Sequence, residues 1–165
     1  MRYNWDAVLA RLRAYPPHLH RLLPPCANQQ LETVEKELGP LPTTLKEMLN
    51  RFNGAKLFCC PNAFLNLFRL SNIPPLPALE WSPERCIDTS TPKWRASGSQ
   101  RQHDWAVGMT NYGGLILLRP DGTIREWGTT ERRWLIEDLP FGEWLDKAMR
   151  EGEAIAAELH SPDGL

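Results

Sequence analysis

The chain has 165 residues, of which 42% are hydrophobic and 24% are charged, a composition typical of a globular protein rather than of a disordered one. Its 19 basic and 20 acidic residues give a net charge of −1, so no overall field attracts nucleic acid or anionic lipid, and binding either would need a local patch. Because this length is common for one domain, we expect a single domain over residues 1–160, followed by a flexible tail at 161–165.

Membrane, export and cysteine signals are weak. No run approaches the roughly 20 apolar residues of a membrane span, and the N-terminal residues lack the long apolar stretch of a signal peptide. The four cysteines match neither a paired C-x-x-C zinc framework nor a dense disulfide scaffold; they are Cys26, Cys59, Cys60 and Cys86. We therefore expect a cytoplasmic protein with free thiols and no contact with membranes.

Two amphipathic helices are predicted at the start of the chain. Apolar residues recur at helical spacing from Trp5, Asn4 is placed to cap the first turn, and Pro16 follows the end of the pattern. A second helix is predicted to begin near Asn28 and to stop at Gly39, which tolerates the left-handed conformation found after many helices.

A third helix carries a stronger start signal. Thr44 and Glu47 form a T-x-x-E capping box at the head of an apolar stripe. Asn53 and Gly54 are predicted to close this helix, because both residue types accept a left-handed backbone at a helix end.

Short apolar runs separated by turn signals predict an antiparallel meander. Pro120-Asp121-Gly122 is a hairpin signal, because proline presets one turn dihedral and glycine accepts a positive one. A final helix is predicted from Phe141, and Gly152 weakens its continuation. The predicted strands are 55–58, 64–70 with a turn at Pro61-Asn62 before it, 105–109, 115–118, 123–127 and an edge strand at 134–136.

Residues 71–104 are rich in proline, serine, threonine and charge and show no sustained period. The pattern predicts a long loop with at most short helical turns, started by Ser82-Pro83 and Thr91-Pro92. Loops of this length inside a domain are uncommon and are often functional. The segment is therefore a candidate binding surface.

Catalytic and cofactor signatures are missing from the sequence. It contains no glycine-rich phosphate loop, no G-x-S-x-G and no H-E-x-x-H, so we expect no catalytic residue, no cofactor and no metal. Two weaker alternatives remain open. His18, His20 and Cys26 could supply three zinc ligands but lack a nearby fourth, and Cys59 or Cys60 could pair with His103 as a nucleophile.

A third alternative is a nucleic-acid strip in which four cationic or titratable residues are interleaved with two tryptophans that could stack bases. Its residues are Lys93, Arg95, Arg101 and His103, with Trp94 and Trp105. In a nearly neutral domain such a strip is more often a solvated loop, so nucleic-acid binding is the less favoured interpretation.

The seven tryptophans divide into two groups. Trp5 and Trp144 lie on helical apolar stripes and Trp127 ends a strand, which indicates core packing for all three. Tryptophan and arginine are frequent anchors of protein interfaces. The predicted protein-binding face therefore consists of Trp81, Trp94, Trp134, Arg132 and Arg133, although these tryptophans could instead pack back onto the domain.

The order of several motifs along the chain resembles the SUKH superfamily, in its Smi/Knr branch of cell-wall assembly regulators. An LGPLP helix end at 38–42 precedes FNG at 52–54 and a strand. Strand, Gly113-Gly114, strand, turn and a strand ending in Trp127 then follow one another, and F-x-x-W-L at 141–145 lies in the final helix. These similarities cover residues from about 28 to 150.

The resemblance implies a non-enzymatic α+β fold in which a strongly curved antiparallel sheet packs against N-terminal helices and a C-terminal helix. It also implies a protein partner, since many relatives are bacterial immunity proteins that neutralise a toxin domain. The expected partner is then the toxin domain encoded by a neighbouring gene. Other relatives are regulatory or scaffolding modules. Since immunity proteins against basic nucleases are often markedly acidic, the near-neutral charge disfavours a nuclease toxin.

Overall fold

The computed structural model describes residues 3–59, 63–71, 86–98 and 101–159. Its helices are α1 (Trp5–Arg13), α2 (Asn28–Leu38), α3 (Thr43–Arg51), α4 (Ile87–Ala96) and α5 (Phe141–Leu159). Its strands are β1 (Arg21–Leu22), β2 (Ala55–Cys59), β3 (Ala63–Leu67), β4 (Trp105–Thr110), β5 (Gly114–Leu118), β6 (Thr123–Gly128) and β7 (Arg133–Pro140). None of the described helices has the length and apolar character needed to cross a membrane.

The strands form one seven-stranded sheet in chain order, and each strand pairs antiparallel with its neighbour in sequence. The predicted α+β class and meander are confirmed. The sequence did not predict β1, a two-residue strand whose Arg21 lies opposite Lys56. The predicted edge strand lies at the outer position, as β7, and is longer than the three residues expected.

The first two helices agree with the sequence. The Asn4 side chain accepts a hydrogen bond from the backbone N–H of Ala7 at 3.1 Å, which caps α1. α2 ends before Gly39, whose φ of 97° lies in the left-handed region. Both ends therefore follow from local chemistry that the sequence displays.

The predicted capping box of α3 is wrong. The carbonyl of Pro42 already accepts from the backbone N–H of Lys46 at 3.0 Å, so the helix begins at Thr43 and Thr44 lies inside its first turn. Asn53 has a different role from the one predicted. Its buried side-chain oxygen accepts from the N–H of Leu70 at 2.8 Å, which ties the end of α3 to the chain after β3.

The predicted loop at 71–104 contains the ten-residue helix α4, so the expectation of only short turns is wrong. The predicted start at Ser82 lies outside the described residues, and the predicted start at Thr91 falls inside α4, with Pro92. Ile87, Thr91 and Trp94 form a buried stripe at helical spacing. Burial of this stripe compensates for the backbone hydrogen bond that Pro92 cannot donate.

Three helices pack together at Trp5. Trp5 of α1 is buried, donates from Nε1 to the carbonyl of Thr44 at 3.1 Å, and packs against Phe52 and Phe141. α1, α3 and the start of α5 therefore meet at one indole ring. α5 lies on the sheet face that includes Glu126, and α4 lies on the opposite face, against β4.

α5 runs for 19 residues and passes through Gly152 without a break, so the prediction that Gly152 weakens this helix is wrong. The ring of Phe58, in β2, occupies the space beside Gly152, and a Cβ added there would overlap that ring. Glycine at this position lets the helix approach the sheet closely, which offsets its poor helix propensity.

We expect Gly152→Ala to destabilise the protein by about 2 kcal/mol, the cost of overpacking a closely packed core, although helix propensity alone predicts a gain of about 1 kcal/mol. Urea unfolding of both proteins measures the difference. Ala154→Gly, at an exposed position of the same helix, provides the matched propensity control. A more stable Gly152→Ala variant would contradict the close approach of Phe58.

His20 is a buried titratable group that contacts Phe58. Its Nδ1 accepts the backbone N–H of Phe58 at 3.1 Å, its ring packs edge-on against the Phe58 ring at 4.7 Å, and its Nε2 has no hydrogen-bond partner in the described part of the chain. Burial lowers the pKa of His20 from 6.5 to about 4, although Glu153 acts in the opposite direction. The folded state therefore favours the neutral imidazole.

Because the pKa of His20 is lower in the folded state than in the unfolded state, the unfolded chain binds the extra proton. Stability is therefore lost as pH falls from about 6.5 to about 4, by up to roughly 3 kcal/mol. Urea unfolding at several pH values should show a smaller acid loss for His20→Asn, whose amide oxygen can replace the Nδ1 acceptor. His18→Asn, at an exposed position, should keep the wild-type loss; equal profiles for all three proteins would refute the role of His20.

Candidate functional site

A single row of paired residues crosses the sheet on the face that carries α4. Directly opposed residues of antiparallel strands project from the same face. From β2 to β7 the successive partners are Lys56, Asn66, Met109, Leu115, Trp127 and Trp134. The row is polar on β2 and β3 and apolar from β4 to β7.

Three tryptophans join α4 to the apolar end of this row. The ring centroid of Trp94 lies 6.0 Å from that of Trp127 and 5.8 Å from that of Trp134, and the latter two lie 5.0 Å apart. Trp94 is only 6% exposed and donates from Nε1 to the Asp104 carboxylate at 3.0 Å. This buried hydrogen bond and the ring contacts fix the position of α4 on the sheet.

A groove of about 460 Å³ remains between α4 and the row, because one short helix does not cover the whole face. We name it the α4 groove. Its floor is formed by the half-buried side chains of Met109, Leu115 and Trp127, and its charged rim by Lys93, Arg101 and Arg132. The volume is typical of a site that holds a small ligand or a short chain segment.

Arg101 is held over the tryptophans. Its guanidinium carbon lies 3.9 Å from the ring centroid of Trp94 and 5.1 Å from that of Trp127, and Nη1 donates to the Ser97 hydroxyl at 2.8 Å. These cation–π contacts and the hydrogen bond orient the guanidinium while leaving its charge unneutralised.

The charges of the rim are all of one sign. No carboxylate among the described residues forms an ion pair with Lys93, Arg101 or Arg132, and no acidic side chain lines the groove there. By contrast, Arg119, which follows β5, and Arg125 of β6 pair with the Asp138 carboxylate at 3.3 and 3.0 Å. The α4 groove therefore concentrates positive charge in a protein whose net charge is −1.

A polar trough of about 520 Å³ continues the groove towards β2, and the two depressions share Met109. Asn66 and Asn111 line the trough together with Lys56. The Asn66 side-chain amide makes no hydrogen bond to another part of the described chain. Amide groups at this position can bind the backbone N–H and C=O groups of a ligand.

The model of the SMI1 / KNR4 family (SUKH-1) matches residues 25–147. The chain belongs to this family. The matched residues include α2, α3, α4, the strands β2 to β7 and the first part of α5, so the α4 groove lies within the SUKH-1 region. The predicted SUKH resemblance is therefore confirmed. A comparison with curated proteins gives no significant match.

The structure places the predicted binding residues of this SUKH-1 protein in different environments. Trp94 is buried and Trp134 is half-buried, whereas Arg132, in the turn before β7, and Arg133, the first residue of β7, are exposed. Trp81 lies outside the described residues. Trp94, Trp134 and Arg132 come together at or beside the α4 groove, and the role of all five residues in binding stays a prediction.

Sequence reasoning missed most of the groove floor. Met109 and Leu115 were assigned only to strands, and Trp127 was assigned to the core, although all three are half-buried. Their shared face follows from the strand register, in which Met109 pairs with Leu115 and Leu115 with Trp127. Alternation within each strand is the signal that could have grouped them, once the register was known.

The predicted nucleic-acid strip does not form one surface. Arg95 points inward: its Nε donates to the carbonyl of Asp104 at 2.9 Å, its Nη1 donates to the carbonyl of Leu38 at 2.6 Å, and its guanidinium lies over the Trp105 ring. Burial lowers the pKa of Arg95, against the opposing effect of Asp104. Arg95 therefore joins α2, α4 and β4, and of the cations of the strip Lys93 and Arg101 lie at the groove.

The two chemical alternatives are not assembled either. His20 is committed to Phe58, and no group of three potential metal ligands occurs among the described residues. Cys59 pairs with Ala63 at one end of the sheet, whereas His103 precedes the opposite end of β4, roughly 30 Å away along the strand direction. Cys60 lies outside the described residues.

We expect Trp94→Ala to lower the free energy of unfolding by about 3–5 kcal/mol, because it removes a buried indole that anchors α4. Trp94→Phe should cost less, since it keeps most of the ring contacts and loses the hydrogen bond to Asp104. Urea unfolding measures both. Wild-type stability of Trp94→Ala would show that the indole is not a structural anchor, and Trp134→Ala, at a half-buried position, gives the comparison.

Proposed function

We propose that this SUKH-1 protein is a non-enzymatic protein-binding domain that neutralises a bacterial toxin domain, and that it binds this partner through the α4 groove. The observation that carries the proposal is the combination of a half-buried apolar floor with three cations that have no carboxylate partner among the described residues. A partner that covers the apolar floor and supplies carboxylates to the unpaired cations gains binding free energy from both contacts.

The groove has the features of an interface rather than of a catalytic centre. Tryptophan and arginine dominate the energetics of many protein interfaces. Here Trp127 supplies apolar area, and Arg101 is already oriented by Trp94 and Ser97. Side chains that are ordered before binding lose less conformational entropy when the partner arrives.

The toxin-neutralising role is supported by the family. The SUKH resemblance implies that many relatives are immunity proteins, and the match of residues 25–147 to the SUKH-1 family supports this role for the chain. The other function open to the family, a regulatory or scaffolding module, would use the same surface with a partner unrelated to toxins. The growth experiment below separates the two.

The C-terminal domain encoded by the adjacent upstream reading frame is expressed alone and with this chain. We expect growth arrest from that domain alone and recovery on co-expression. The Arg101→Gln/Arg132→Asn double variant should lose most of the protection, since it removes two rim charges. Asparagine suits position 132 because Arg132 has a φ of 54° and asparagine tolerates that backbone.

The matched control is the Arg13→Gln/Lys36→Gln double variant, which removes two exposed cations of α1 and α2 and should protect as well as the wild type. Western blots and urea unfolding check that all variants accumulate and fold equally. A harmless upstream domain, or one that kills equally with this chain present, would argue against immunity and favour the regulatory module.

A further inference from the structure

The charge and shape of the α4 groove indicate which part of a partner it takes. Resting on the proposed binding function, we propose that the α4 groove binds an extended acidic segment of the partner protein, with carboxylates against Lys93, Arg101 and Arg132 and an apolar side chain on the floor.

The electrostatic step depends on the rim. Two guanidinium groups and one ammonium group face the same groove, with no carboxylate of the described chain to neutralise them. Guanidinium groups bind carboxylates through two parallel hydrogen bonds, which gives direction as well as attraction. Aspartate and glutamate side chains of the partner complete this arrangement.

The floor distinguishes a peptide from the other polyanion, nucleic acid. Single-stranded nucleic acid binds by stacking its bases on free aromatic faces. Here the Arg101 guanidinium lies over the rings of both Trp94 and Trp127, and the rest of the floor is Met109 and Leu115. An aliphatic or aromatic side chain packs on such a floor without needing an open ring face.

The length of the segment follows from the sheet. Trp127, Leu115, Met109 and Asn66 are successive partners across four neighbouring strands. Three spacings of about 4.8 Å amount to roughly 14 Å, which an extended chain covers with about four to five residues. Such a segment would reach from the charged rim to the Asn66 amide, where its backbone can form hydrogen bonds.

The test uses random hexapeptides displayed on phage and selected on the purified full-length chain. Selection is repeated on the Arg101→Gln/Arg132→Asn variant and on the Arg13→Gln/Lys36→Gln control. We expect the wild type and the control to enrich peptides that combine several acidic residues with at least one aliphatic or aromatic residue. The groove variant should not enrich them.

One enriched peptide is then synthesised with a fluorescent label for titration by polarisation. Loss of the two rim charges should weaken its binding about tenfold or more, and Leu115→Glu should weaken it similarly by placing a negative charge on the floor. Binding should also weaken as salt is raised, since salt screens exposed charges. The control variant should bind like the wild type.

Several results would overturn the inference. They are enriched peptides without net negative charge, equal enrichment on the groove variant, and no enrichment on the wild type. Tighter binding of a single-stranded oligonucleotide than of the selected peptides, sensitive to the groove substitutions, would assign the groove to nucleic acid instead.

The growth assay and the peptide selection fail independently. If co-expression protects cells but the groove double variant protects equally well, the toxin-neutralising function stands and the acidic-segment inference falls. If the selection succeeds but no protection is seen, the chemistry of the groove stands and the immunity role falls.

Discussion

The position of α4 depends on one buried indole. Trp94 contacts Trp127 and Trp134 and donates to Asp104, while the next residue, Arg95, joins the same helix to the end of α2. Because α4 has ten residues, it covers the middle of the sheet face and leaves the apolar floor beside it half-exposed. The groove therefore results from the way in which a short helix is anchored. All three floor residues lie within regular strands.

The dependence of α4 on tertiary contacts explains why this helix could not be predicted from the sequence, whereas most other elements could. The strands and the helices α1, α2 and α5 carry periodic apolar patterns, and local signals such as Asn4 set their ends. α4 lacks such a pattern because Pro92 and several small polar residues interrupt it. Its stability comes from tertiary burial, including the Thr91 hydroxyl that accepts the N–H of Ala106 at 3.0 Å. Helix propensity does not predict a helix whose stability comes from tertiary contacts.

The candidate site was predictable only in part. Arg132 was predicted as an interface anchor and lies at the rim of the α4 groove, whereas Arg133, predicted for the same reason, begins β7 and does not line the groove. Trp127 was assigned to the core because it ends a strand, and the sequence does not say which face of that strand a helix leaves uncovered. The prediction for Gly152 was wrong for a related reason. Glycine is needed there to leave room for the ring of Phe58, which is 94 positions away in the chain. Non-local contacts decide both cases.

The net charge and the local charge answer different questions. A net charge of −1 excludes a strong overall field. Many of the charges behind this value lie in ion pairs, such as Arg125 with Asp138 and Arg11 with Glu153, in which the two charges cancel locally. Cations that are paired in this way attract a distant partner only weakly. The three cations of the α4 groove are not cancelled by a neighbour, so they dominate the potential at short range. A nearly neutral protein can therefore present one basic surface, and its selectivity for an acidic segment would come from position rather than from overall charge.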